Sequence, residues 1–376
     1  MLLLGLETSC DETAAAVVEN ARIVRSSVIA SQDELHAEYA GVVPEIASRA
    51  HAERILPVVR RAIADAGIRL AELDAVAVGH RPGLIGSLLV GVSAAKALAW
   101  SLGVPLLGVD HVHSHLYAGW LEDNAQGTGH RAQKAGPTAE QPPVANRQSP
   151  EDSYPALGLV VSGGHTTLYS CATPIELQRL GGTIDDALGE AFDKAATILG
   201  LPYPGGPNLD RLARTHGADN RTHDFPVSRL APDSLDFSFS GLKTSLLYAV
   251  RGRPLPGGKF ERDHTWLNAA SRADFAASFQ RAAVDAVILK LGRAAERGSA
   301  DGGRYRTLVV GGGVTANSLL RTRLTEFARA QDLALRLPAL RYCVDNAAMI
   351  AGLAHHLLSA GRTSGLDLEA VPTTAC

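Results

Sequence analysis

The sequence has few aromatic residues, few cysteines and little excess charge. Aromatic residues make up 5% of the 376 residues, and the formal net charge is −3. So few aromatic rings argue against an extended platform for stacking nucleic-acid bases, and the balanced charge is not typical of a nucleic-acid-binding protein. The four cysteines include no C-x-x-C pair, which excludes a zinc ribbon and a disulfide framework.

Long apolar runs are also missing. No stretch reaches the roughly 20 uncharged apolar residues that a membrane span needs. The apolar start of the chain has no basic region before it and meets Glu7 and Asp11 too early to form a signal sequence. The sparse cysteines suit a reducing compartment. We therefore expect a cytoplasmic protein that does not contact a membrane.

Two segments share one pattern, a buried strand, a polar turn and a returning strand. The first covers residues 2–18 and the second covers residues 157–171. Such a repeat predicts two related halves, and the alternation of helices and strands after each hairpin is typical of an α/β fold. The expected helices cover 44–66, 84–102, 185–199, 274–296 and 316–330.

The domain organisation follows from this repeat. Residues 1–121 form the first expected half and residues 156–376 the second, with the C-terminal helix packing back on the first half. Between them, residues 122–155 are rich in Gly, Pro, Gln and Asn, which predicts a flexible surface insertion.

Three turns are candidates for binding phosphate. They are the turns of the two hairpins and the run Gly311–Gly313, where backbone N–H groups are able to approach an anion closely. Each turn alone is explained as a tight connection between packed elements. Together, in this order, they favour the actin, hexokinase and Hsp70-like (ASKHA) fold, in which two related α/β halves surround a central cleft.

A histidine cluster predicts a metal site. If the segment is helical, His111 and His115 share one face, a spacing that suits chelation of one ion; on a strand, His113 would point the same way. Asp345 is the candidate third ligand, with an N-cap role as the alternative. A zincin protease is disfavoured, because Val112 stands where its general base would be.

Acidic residues in the second half suggest a further polar site. Asp186, Glu190 and Asp193 fall on one helical face, which either lines a cleft or faces solvent. Gly206 lies at the start of the next expected helix, which contains Asp210, and Asn317 follows the third glycine-rich turn.

Eight motifs, in order along nearly the whole chain, resemble the TsaD family of bacterial tRNA N6-adenosine threonylcarbamoyltransferases. They are Gly5–Thr13, 41–49, 159–166, 184–194, 203–207, 236–244, Gly311–Asn317 and 345–349. The resemblance implies the actin-like fold and the transfer of a threonylcarbamoyl group from L-threonylcarbamoyl adenylate to N6 of the adenosine 3′ of the anticodon. The tRNAs concerned read codons that begin with A, and AMP is released.

The resemblance also implies site residues. It assigns one divalent metal ion, with iron favoured over zinc, to His111, His115 and Asp345. It assigns the substrate, which contains an adenine nucleotide, to Val160, Val161, Ser162, Gly163, Gly164, Asp193, Gly206, Asp210 and Asn317. Our own hypothesis for the group that assists the adenine amine is Asp11 or Glu12.

The implied partners are tRNA, a paralogous TsaB-like subunit, a small TsaE-like ATPase and a separate synthase of the adenylate. Two alternatives are a non-catalytic actin-like scaffold subunit and an ATP-dependent carbamoyltransferase acting on a small molecule. Three segments depart from the family pattern: the turn 79–84, the insertion 124–155 and the residues after 361.

The total charge conceals an uneven distribution. Residues 243–306 contain 12 Lys or Arg and six Asp or Glu, a net charge of +6, which leaves −9 for the rest of the chain. This basic region predicts a face that contacts tRNA phosphates, with solvated helix faces as the alternative.

Overall fold

The computed structural model describes residues 1–39, 41–124, 151–215, 217–227, 230–299 and 302–373. Its strands are β1 (Leu2–Glu7), β2 (Glu12–Glu19), β3 (Ile23–Ser31), β4 (Ala75–Arg81), β5 (Leu106–Asp110), β6 (Glu122–Asp123), β7 (Ala156–Val161), β8 (Thr166–Thr173), β9 (Glu176–Gly182), β10 (Pro254–Leu255), β11 (Lys259–Phe260), β12 (Thr307–Gly311) and β13 (Ala334–Arg336). Its helices are α1 (Asp33–His36), α2 (Pro44–Ala66), α3 (Ile85–Leu102), α4 (His111–Tyr117), α5 (Leu188–Ile198), α6 (Gly205–Ala213), α7 (Ser240–Arg251), α8 (Ala269–Arg297), α9 (Ser318–Ala330) and α10 (Ala347–Ser359).

The chain forms two compact units. Among the described residues, unit 1 is drawn from Met1–Tyr154, Thr173–Ile175 and Asp345–Ala375, and unit 2 from Pro155–Ala172 and Glu176–Val344. Most of the insertion predicted at 122–155, namely 125–150, lies outside the described residues.

Each unit is built on a mixed sheet. The strand order is β5-β4-β1-β2-β3-β6 in unit 1 and β13-β12-β7-β8-β9 in unit 2. In both sheets the first strand of a hairpin is central, pairs antiparallel with its neighbour in the chain and pairs parallel with a later strand. The two predicted hairpins therefore occupy equivalent places in two sheets of similar strand arrangement. The predicted mixed α/β class is confirmed.

Helix α2 shows how local sequence sets an element. Pro44 occupies the first turn, where its missing N–H costs nothing. Gly67, at φ +68°, ends the helix in the left-handed conformation that glycine adopts without strain. Buried residues recur every three or four positions and pack on the core of unit 1. The helix expected at 44–66 has these same bounds.

Helix α10 packs unusually close to β1. A Cβ placed on Gly5 would lie 2.2 Å from the carbonyl oxygen of Ala347, so a larger residue there would push the helix away. Because Asp345 lies two residues before α10, this contact also sets the position of Asp345 within unit 1.

Helix α3 is strongly apolar. Among the described residues it is the one helix with the length and mean hydropathy of a membrane span, a test that core helices of soluble proteins also pass.

Candidate functional site

Three parallel strands bring their carboxyl ends to one edge of the unit 1 sheet. Strand β1 ends at Glu7, β4 at Arg81 and β5 at Asp110, and β4 pairs parallel with both neighbours. The carboxyl ends of parallel strands are the usual place for a site in an α/β fold. Helix α4 begins at this edge with His111, directly after β5.

Helix α4 is held at its N-terminus by Asp110. The Oδ1 atom of Asp110 accepts a hydrogen bond from the backbone N–H of His113 at 3.2 Å, which caps the helix. Arg81 Nε lies 3.3 Å from Asp110 Oδ2 and pairs with the capping carboxylate. Because this segment is a helix, His111 and His115 lie on one face, as the helical alternative predicted.

His111, His115 and Asp345 come together. One ligand atom from each lies within 4.8 Å of the others. Asp345 Oδ1 is 3.2 Å from His115 Nε2 and 3.5 Å from His111 Nε2. The cap of α10 is Asn346, whose Oδ1 accepts from the Met349 N–H at 3.0 Å, so the alternative that Asp345 is an N-cap is wrong.

The chemistry of this group fits a divalent metal ion. His115 is fully buried; among the described residues its Nδ1 has no hydrogen-bond partner, and its Nε2 faces only the Asp345 carboxylate, 3.2 Å away. A buried nitrogen without a partner is costly, and coordination would satisfy it. Two imidazoles and one carboxylate are donors that iron and zinc accept.

The two imidazoles have different surroundings. Burial lowers the pKa of His111, but the carboxylates of Glu7 and Asp345 outweigh it and raise that pKa to about 9. At His115 burial dominates and lowers the pKa. The neighbouring His113 lies outside the group.

Asp11 and Glu12 lie half-buried where the first hairpin turn enters β2. The backbone around them is anchored from both sides: Gln32 N–H donates to the Asp11 carbonyl at 3.1 Å, and the buried His51 Nε2 lies 3.0 Å from the Cys10 carbonyl oxygen. Burial, Asp345 and Asp11 raise the pKa of Glu12 to about 10.

In unit 2, the glycine-rich turns follow two parallel strands. Strands β7 and β12 pair in parallel, so the turn at Ser162 and the turn at Gly312 leave the same edge of the sheet. Gly312 has φ +95°, and a Cβ there would lie 2.3 Å from the Val161 carbonyl oxygen, so this close approach requires glycine. Gly163 and Gly164 are exposed, with nothing within 4 Å of a Cβ built on either.

The valines assigned to the substrate have no exposed side chain. Val160 and Val161 are 0% exposed as whole residues, and β7 pairs with β8 on one side and β12 on the other, so neither residue offers an exposed side chain or backbone group to a ligand. Asp193 accepts a hydrogen bond from the Gly206 N–H at 2.9 Å and so connects α5 to the start of α6. Burial raises the pKa of Asp193.

Asp210 and Asn317 are joined by a residue that the sequence did not single out. Gln280 donates from Nε2 to Asp210 Oδ1 at 3.2 Å and accepts from Asn317 Nδ2 at 3.1 Å. Ser318 Oγ also donates to Asp210 Oδ1, at 2.6 Å. Gln280 is 2% exposed on the buried face of α8. The sequence does contain a signal that could have identified Gln280: it is a polar residue among the apolar positions of the buried face of α8.

The other acids of this segment pair with lysines. Asp186 precedes α5 and contacts Lys194 at 2.6 Å and Lys243 at 2.8 Å, and Glu190 contacts Lys194 at 2.7 Å. Of the three acids, Asp193 alone contacts the Gly206 turn.

Comparison with known proteins identifies the family. The family model described as "TsaD: tRNA N6-adenosine threonylcarbamoyltransferase" matches residues 23–128 and 143–352. Two relatives are described as tRNA N6-adenosine threonylcarbamoyltransferase. The one from Anaeromyxobacter sp. (strain Fw109-5) is 45% identical, and the match covers 99% of this chain and 99% of the relative. The one from Trichlorobacter lovleyi is 46% identical, and the match covers 99% of this chain and 96% of the relative. Full-length HypF, solved in the phosphate- and nucleotide-bound form, is 12% identical, with a TM-score of 0.55 over 96% of this chain and 47% of its own, and shows the shared actin-like fold. The chain belongs to the TsaD family of tRNA N6-adenosine threonylcarbamoyltransferases.

Proposed function

We propose that this protein transfers the threonylcarbamoyl group from L-threonylcarbamoyl adenylate to N6 of the adenosine 3′ of the anticodon, in tRNAs that read codons beginning with A. The adenine amine attacks the acyl carbon, a C–N bond forms, and the bond from that carbon to the phosphate oxygen breaks. AMP leaves, and the amine loses a proton. The observation that carries this proposal is the His111, His115 and Asp345 group in a chain of the TsaD family.

The glycine-rich turns of unit 2 suit the nucleotide part of the donor. We assign its phosphate to the turn Ser162–Gly164, which follows a central strand. The exposed Gly163 and Gly164 offer their backbone N–H groups, whereas the Ser162 N–H donates to the His165 carbonyl at 2.7 Å. The buried Val160 and Val161 at the end of β7 position the turn that follows them, while the rest of the adenylate contacts Asp193, Gly206, Asp210 and Asn317. Hydrogen bonds already hold the last four in pairs, which supports one shared role.

The metal ligands are His111, His115 and Asp345, and we favour iron over zinc as the ion. A bound divalent cation supplies Lewis-acid polarisation of the acyl carbonyl oxygen. Asp11 and Glu12 are the candidates for the group that takes the proton of the amine, since an exocyclic adenine amine is a weak nucleophile and needs positioning and a base.

We also propose the partners of the family: tRNA, a TsaB-like paralogous subunit and a TsaE-like ATPase, acting in the cytoplasm. Helix α3 supports the paralogue, because it exposes large apolar side chains that a soluble protein normally covers. A scaffold without catalysis does not explain why the chain retains two imidazoles and a carboxylate in contact. A small-molecule carbamoyltransferase does not fit relatives that are named for a tRNA substrate.

One assay tests the proposal. The purified protein, with its partners, is incubated with threonylcarbamoyl adenylate and unmodified tRNA, and nucleosides from the digested tRNA are analysed by mass spectrometry. We expect threonylcarbamoyladenosine in the wild-type reaction, and a loss of at least about 100-fold in the His115→Ala variant. No modified adenosine with all partners present would refute the proposal.

A further inference from the structure

Glu7 is a fully buried carboxylate beside the proposed metal group, and the family resemblance assigned it no role. It is 0% exposed at the end of β1. Its Oε2 lies 3.0 Å from His111 Nδ1, and its Oε1 accepts the backbone N–H of Ser9 at 2.5 Å. A buried carboxylate is costly unless hydrogen bonds satisfy it, and both of its oxygens have such a partner.

The contact with Glu7 determines which nitrogen of His111 is available. Because a carboxylate faces Nδ1, that nitrogen carries the proton and donates it. The Nε2 atom, 3.5 Å from Asp345 Oδ1, is then the nitrogen left to bind a metal ion once its own proton is displaced. Among the described residues, His115 Nδ1 has no hydrogen-bond partner, so of the two imidazoles only His111 has a carboxylate behind its ligating nitrogen.

We propose that Glu7 is a positioning residue for the metal: it fixes the tautomer and the ring orientation of His111 and makes Nε2 a better ligand. Metal-bound histidines commonly donate their other N–H to a carboxylate, and loss of that carboxylate typically weakens metal binding about 10- to 100-fold. The proposal rests on the metal site of the proposed function.

The neighbouring strand leaves room for this carboxylate. A Cβ built on Gly79 would lie 2.5 Å from Glu7 Oε2, so any larger side chain there would displace the acid from His111. Gly79→Ala therefore disturbs the contact without removing the charge. Gly79 begins the turn at which this chain departs from the family pattern.

The test is a titration of the full-length protein, stripped of metal with a chelator, with Co²⁺ against a competing chelator. We expect Glu7→Gln to bind Co²⁺ about 10- to 100-fold more weakly and to change its visible absorption spectrum, and Gly79→Ala to act in the same direction. Ser9→Ala is the matched control, because it removes the weaker neighbour of His111 Nδ1, at 3.2 Å, and keeps Glu7. It should bind within about twofold of wild type.

Thermal unfolding of the metal-stripped variants separates a purely structural role. If Glu7→Gln is less stable yet binds Co²⁺ with wild-type affinity and spectrum, the proposal is wrong. It is also wrong if the wild type does not bind Co²⁺. The titration uses neither tRNA nor adenylate, so a failure of the transferase assay would leave a measured loss of Co²⁺ affinity intact.

Discussion

Asp11 and Glu12 are adjacent carboxylates, but the surroundings of Glu12 disfavour its charge. Burial is the largest cause that raises its pKa to about 10, followed by the charges of Asp345 and Asp11. A cation at Asp345 would offset one of these charges, whereas the burial would remain. These surroundings favour the neutral form of Glu12 and make it the weaker candidate for the base.

Matched substitutions therefore separate the two acids. Asp11→Asn removes a charge and should lower kcat by about 100-fold or more, with little change in the KM for the adenylate. Glu12→Gln resembles the neutral carboxyl group in shape and should lower kcat by less than about tenfold. Steady-state kinetics with saturating tRNA measure both. The reverse ranking would assign the base to Glu12.

At the scale of the elements, the sequence predicted those parts that are set by local periodicity. Helix α2 and the placement of His111 and His115 on one face follow from residue spacing alone. Strand β3 and helix α7 were not predicted, because these segments are stabilised by contacts with other parts of the chain: β3 pairs with β2, and α7 packs on α5 and α8. The contacts of Gln280 and Glu7 depend on residues about 70 and 100 positions away, which no local pattern contains.

Helix α3 carries an apolar stripe that the fold of unit 1 leaves exposed. Ile85, Leu89 and Trp100 are 48%, 52% and 75% exposed, and their spacing of four and eleven residues puts them on one helical face. The opposite face packs on the core of unit 1. Exposed Ser93 and half-buried Lys96 lie on the same face between Leu89 and Trp100. Large exposed apolar side chains on one face are typical of a protein interface, and we propose that the TsaB-like subunit covers this face.

A charge within the stripe should prevent that association. Leu89→Asp should weaken copurification with the paralogous subunit by about tenfold or more, because it would bury an unpaired carboxylate. Leu70→Asp is the control: it makes the same change at another exposed leucine of unit 1 outside α3. Equal retention of the subunit by both variants would contradict the assignment.

At the scale of the whole molecule, the structure reduces the number of cations in the basic region 243–306 that are available to contact tRNA phosphates. Six of its 12 cations are engaged within unit 2. Lys243 pairs with Asp186, and the other five donate to backbone carbonyls, as when Lys290 Nζ donates to the Ser234 carbonyl at 2.6 Å. A phosphate-contacting role for these six would cost the hydrogen bonds that hold the loops of unit 2.

The remaining exposed cations include two on one small ribbon. Arg253 directly precedes β10, and Lys259 pairs with Leu255 across the β10–β11 hairpin. Both side chains are exposed, and among the described residues neither side chain forms a hydrogen bond or an ion pair, although the Arg253 carbonyl accepts the Glu261 N–H at 3.2 Å. No acid lies between them in the chain. This ribbon is therefore the part of the basic region best suited to tRNA phosphates.

Reversing both charges should weaken tRNA binding without changing the site chemistry. Each lost phosphate contact lowers the slope of log affinity against log salt by about one, so Arg253→Glu with Lys259→Glu should lower it by about two. Arg60→Glu with Arg329→Glu makes the same change of total charge at exposed positions outside the ribbon. Binding is measured by fluorescence anisotropy from low to physiological salt. Because long-range repulsion acts equally in both double variants, a loss confined to the ribbon variant indicates direct contact, whereas equal losses would refute it.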